Sequence, residues 1–156
     1  MLLQLFLFLH VMGAIIVFGP SFAFPLIASA AQREPQHAHF AAAISDSIER
    51  RIVIPGAILQ GITGVALILV APLDITTNTW LQIAIPLYLV AIVYAIAVQA
   101  PAAERMVHLT ATPPPPGASG PPPELVATAR RLQLGGMFLT VLVVAIVILM
   151  VTKPIL

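Results

Sequence analysis

From Leu2 to Ala30 the chain holds no Lys, Arg, Asp or Glu, and a single titratable ring, His10, is set into the apolar run. About 20 apolar residues in a helix cross a bilayer core, so a stretch of this length is predicted to span a membrane. It lacks the basic start of a signal peptide and is about twice as long as the usual apolar region of one, so it reads as a retained first helix. A histidine inside such a run is costly to bury without a partner, and that makes it the first candidate functional residue. The rest of the chain can be read by what it brings to His10.

Only 8% of the 156 residues are charged and 60% are apolar. Soluble domains carry about 25% charged residues, and this chain could not cover a water-facing surface. The net charge of +1 offers no basic face for nucleic acid, and the absence of Cys removes thiolate metal sites, iron–sulfur clusters and thioether-linked haem.

The expected fold is all-α, an integral membrane four-helix bundle in one domain, 1–156. Its spans are placed at about 2–27, 52–71, 80–100 and 134–152. On span one, His10, Gly13, Val17, Pro20 and Ser21 share a stripe at helical spacing, with a kink expected at Gly19-Pro20 and the end of the helix near Pro25. On span two, Gly56, Gln60, Thr63 and Gly64 form a stripe of small and polar residues, the usual material of a helix–helix contact in lipid. The short turn 73–79 makes spans two and three antiparallel neighbours, and Trp80 stands where an interfacial anchor belongs.

Two loops lie on the other side, 31–51 and 101–133. In the first, Asp46 and Glu49 resemble a capping box that starts a short amphipathic helix. The second contains a proline-rich linker, 112–123, after which Pro123 and Glu124 suit the first turn of span four. The loops hold six of the seven basic residues, Arg33, Arg50, Arg51, Arg105, Arg130 and Arg131, against Lys153 opposite. The positive-inside rule therefore puts both loops in the cytoplasm and both termini outside.

Counted from the outer helix ends at about 1.5 Å per residue, His10, Thr63 and Tyr88 lie about 12–13 Å deep and Gln60 about 16 Å. The expectation is a buried polar cluster of His10, Gln60, Thr63 and Tyr88, with Thr140 as a fifth member. Such a cluster can satisfy itself, since a neutral imidazole donates from one nitrogen and accepts at the other. It can also hold a b-type haem or another tetrapyrrole, with His10 as axial ligand and Tyr88, Met12, Met150 or nothing opposite. His37, His39 and His108 lie on the loop side, out of reach of His10, and read as exposed histidines rather than a metal site. No Asp, Glu, Lys or Arg falls inside a predicted span, as a coupled pump would require, and no catalytic motif is present.

Leu9-His10-Val11-Met12-Gly13-Ala14 at the head of helix one resembles the opening of an uncharacterised bacterial family of four-span integral membrane proteins. Pro55-Gly56, Thr63-Gly64-Val65-Ala66-Leu67 and Leu87-Tyr88-Leu89-Val90-Ala91 are similar to that family too. The resemblance covers most of the chain apart from the proline-rich linker and implies four spans; the expected location is a bacterial cytoplasmic membrane. More distantly, the early His is similar to copper-resistance D-type membrane proteins and to the haem-binding membrane protoporphyrinogen oxidase. The chain departs from the first in lacking further intramembrane His and Met ligands. It departs from the second in having no Lys on helix three.

The functional expectation is an accessory or scaffolding subunit of a larger respiratory or photosynthetic membrane complex, without catalysis of its own. Its partners are then the lipid bilayer and other membrane subunits or further copies of the chain. A tetrapyrrole-binding redox protein using His10 is the alternative, and a small transporter with a path past Gln60 and Tyr88 is the second alternative.

Overall fold

The computed structural model describes residues 1–112 and 120–153. Helix α1 is Leu2–Arg33, α2 Ala38–Ile48, α3 Ile54–Val70, α4 Thr79–Tyr94, α5 Ala100–Ala111 and α6 Pro123–Thr152. A π-helical turn, Glu49–Val53, joins α2 to α3, and a second, Ala95–Gln99, joins α4 to α5. A short 3-10 turn, Pro35–His37, precedes α2, so the described chain forms four long rods of 30 to 36 residues. All four are long and apolar enough to cross a membrane. Their flanks expose large apolar side chains such as Leu7, Phe8, Ile15, Leu59, Ile62, Leu89, Val141 and Val144, as lipid-facing surfaces do.

The π turns have a common cause. Proline has no N–H to return to the carbonyl four residues back, and its ring crowds that carbonyl. Each π turn ends two residues before a proline, Pro55 or Pro101, and is closed by a bond five residues long, Ile54 N–H to Glu49 O and Ala100 N–H to Ala95 O. The wider turn takes up the misfit and the helix continues.

This corrects three expectations about the loops. The region 31–51 is not a loop: α1 runs on to Arg33, past Pro25, and only Glu34 separates it from the next rod, which begins at Pro35. Asp46 does not cap a helix. It lies within α2, and its carboxylate accepts from Arg50 Nε at 2.9 Å one turn on. Span three does not end at Pro101 but continues as α5 to Ala111. Of the proline-rich linker, residues 113–119 lie outside the described residues, as does Pro154, and α6 opens at Pro123.

The rods are joined unevenly. Helix α1 packs along α3 and α4 along α6, while α1 meets α6, and α3 meets α4, more sparsely. On the loop side α2 lies against α5 and α1, and α5 against α6. Charges fasten that end: Arg50 bridges Asp46 and Glu104, each at 2.9 Å, and Arg105 pairs with Glu124. On the turn side the Asp74 carboxylate accepts from the Thr76 backbone N–H and hydroxyl, which hold it below the usual carboxylate range. Lys153 lies 5.7 Å from the centre of the Trp80 ring, linking the start of α4 to the end of α6.

Candidate functional site

The α1–α3 contact is built from small residues. Val17, 1% exposed, presses on Gly56, where a Cβ would stand 2.5 Å from its Cγ2. Gly13 faces Gln60 and Gly64 faces the His10 ring in the same way. The two stripes, His10-Gly13-Val17 and Gly56-Gln60-Thr63-Gly64, therefore lie against each other along antiparallel helices. At Gly56 a side chain would run into Val17, while at Gly13 and Gly64 it would press on the Gln60 side chain and the His10 ring.

That approach closes a ring of hydrogen bonds. Gln60 Nε2 donates to the His10 carbonyl at 2.9 Å, and the Thr63 hydroxyl donates to the Gln60 carbonyl at 3.0 Å. The Thr63 oxygen also lies 2.9 Å from His10 Nδ1, which completes the ring. The other ring nitrogen, Nε2, has no hydrogen-bond partner among the described residues. Gln60 Oε1 is also buried without a partner, turned against the Cα of Gly13. His10, Gln60 and Thr63 are 8%, 7% and 6% exposed.

Tyr88 and Thr140 do not join this ring. The Tyr88 hydroxyl donates to the Ala57 carbonyl at 2.8 Å and lies over Gly61, bonding α4 to α3 on a different face of α3. Thr140 donates to the Gly136 carbonyl of its own helix at 2.9 Å. On the loop side, His37 lies near Glu34 and His39 contacts Thr110, and no group of three or more metal-ligating side chains of the His, Cys, Asp and Glu type is found among the described residues.

The same local device recurs between α4 and α6. Gln99 Nε2 donates to the Leu132 carbonyl at 3.1 Å, and its Oε1 is orphaned against Gly135. Tyr94 reaches Gly135 too and packs edge-on against Phe138, ring centres 4.9 Å apart. In both places a Gln grips a carbonyl and the glycine three residues later receives its oxygen. A Cα–H pointing at an amide oxygen is a weak substitute for an N–H donor.

Sequence reasoning read Glu49 as part of a capping box and missed its burial: it is 8% exposed and forms no ion pair among the described residues. The signal was present: Glu49, Gly56 and Thr63 are spaced by two heptads, which puts them on one helical face. Replacing Thr63 with Val tests the ring. The shape is kept, but His10 Nδ1 loses its partner, and the expected loss of stability is about 0.6–2 kcal/mol. Thermal unfolding in detergent measures it; an unchanged midpoint would show that the ring is not closed in this way.

Comparison with known proteins places the chain. The model of a family described as predicted integral membrane protein (DUF2269) matches residues 4–154, and the chain belongs to that family. No curated protein and no solved structure matches it.

Proposed function

We propose that this member of the DUF2269 family is an accessory subunit of a larger membrane complex, held there by side-to-side helix contact and without chemistry of its own. The observation that carries the reading is His10 Nε2, a ring nitrogen that has no hydrogen-bond partner among the described residues within an apolar helix pair. An unpaired ring nitrogen in hydrocarbon is costly, and a polar partner on a neighbouring subunit's helix removes that cost. The flanks of α1 around it, Leu7, Phe8, Val11 and Ile15, are exposed and suited to such a neighbour. The arginine-rich loop side faces the cytoplasm of a bacterial cell in this reading, with both termini outside.

The same atom supports a second reading. An imidazole whose Nδ1–H is fixed by a hydroxyl is oriented to give Nε2 to a metal, as in an axial haem ligand. Two hollows line the loop-side ends, about 370 Å³ between α1 and α2 and about 860 Å³ beside α4 and α6, and neither touches His10. A tetrapyrrole would therefore be shared with another subunit.

One preparation separates the two readings. The protein is taken from its native membrane in mild detergent, and its mass and visible spectrum are recorded beside those of His10→Gln. The subunit reading expects a colourless complex heavier than the solubilised monomer, weakened in the variant. A bare monomer with no protein partner would sink it. A Soret band that shifts on reduction and disappears in the variant would instead make His10 an axial ligand.

A further inference from the structure

The hollow beside α4 and α6 has a second chemistry. It is an open groove of about 860 Å³ lined by Tyr94, Val126, Ala127, Arg130, Arg131 and Leu134, with Pro121 and Pro123 at its rim. Its position on the rod is set by sequence. From Leu134 to Thr152 α6 carries no charge, and Arg130 and Arg131 lie one turn before that stretch begins. The groove therefore starts among apolar side chains at the membrane edge and ends between two guanidinium groups just outside it.

The charges there are unspent. Arg50 is committed to Asp46 and Glu104, and Arg105 to Glu124, the one carboxylate in the first turn of α6. Arg130 and Arg131 have no carboxylate within ion-pair distance among the described residues, and both are exposed. Guanidinium matches phosphate oxygens in a two-pronged way, and basic residues at the membrane edge attract anionic headgroups by about 1 kcal/mol each. We propose that this groove binds one anionic phospholipid of the loop-side leaflet. Its phosphate lies between Arg130 and Arg131, the Tyr94 edge of the groove lies toward its glycerol, and an acyl chain follows Leu134.

The test uses the full chain reconstituted in nanodiscs of phosphatidylcholine, alone or with phosphatidylglycerol added, with lipid retention read by native mass spectrometry and stability by thermal unfolding. Phosphatidylglycerol is expected to stay bound and to raise the unfolding midpoint. The double variant R130Q/R131Q should retain it about tenfold or more weakly, as the loss of two such attractions implies. R33Q/R51Q removes the same charge from exposed arginines outside the groove and should retain it as the parent does. R130K/R131K keeps the charge, and should hold most of the lipid if the glutamine variant fails to fold. No preference for phosphatidylglycerol, or an equal loss in R130Q/R131Q and R33Q/R51Q, would overturn the proposal.

Discussion

Replacing Gly56 with Ala should lower the stability of the solubilised protein by about 1–3 kcal/mol, the usual cost of forcing extra volume into a packed contact. The new methyl would meet Val17 Cγ2 at 2.5 Å, and Val17 is the most buried side chain described. It cannot step aside, because a β-branched residue in a helix has essentially one rotamer. The helices must part instead, and the His10–Gln60 bond lies within the same crossing. Gly19→Ala is the matched control on α1. A Cβ there meets nothing within 4 Å, and helix propensity alone makes that change neutral to slightly stabilising. Thermal unfolding of the two variants side by side measures the difference. Equal midpoints would mean that α1 and α3 are not in contact through Gly56.

Replacing Glu49 with Gln should raise stability at pH 8, by on the order of 1 kcal/mol or more. The carboxyl is buried beside α1, and Asp46 one turn earlier adds a like charge, while the neighbouring Arg50 is engaged by Asp46 and Glu104. A carboxylate there loses its hydration, and the nearby Arg50 charge offsets only part of that cost, while Gln keeps the shape without the charge. Glu104→Gln should change little by comparison, since its pair with Arg50 is open to solvent. A lower midpoint for Glu49→Gln would show that the charge is paired or hydrated. A gain in stability accompanied by a loss of complex assembly would mark Glu49 as a site that the protein keeps at the expense of stability.

Much of the architecture is local information. An uncharged run long enough to cross a bilayer is visible at Leu2–Ala30 and again at Leu134–Thr152. Helical spacing is enough to collect His10, Gly13 and Val17 on one stripe and Gly56, Gln60, Thr63 and Gly64 on another. The proline positions were legible but not their effect. Pro55 and Pro101 read as places where helices begin or stop, yet a π turn beside each lets the rod pass. The polar stretch after Ala30 reads as a loop because it is charged. It is helical because α2 has α5 and α1 to lie against, and that support is a tertiary fact.

The candidate site divides in the same way. Residue type and depth single out His10, Gln60, Thr63 and Tyr88 as polar groups in an apolar setting. Which of them meet depends on helix rotation and register, to within one hydrogen-bond length. Tyr88 has a depth similar to that of His10 but faces Ala57 and Gly61. The His10–Thr63 contact, the unpartnered Nε2 and the two orphaned glutamine oxygens follow from contacts of about 3 Å between residues some 50 or 30 positions apart. The sequence by itself determined that this is a membrane protein of four helices, because crossing a bilayer requires only length and apolarity. The tertiary structure alone decided what His10 has left to offer, because a single hydrogen bond is settled by the register of two helices and the glycines that let them touch.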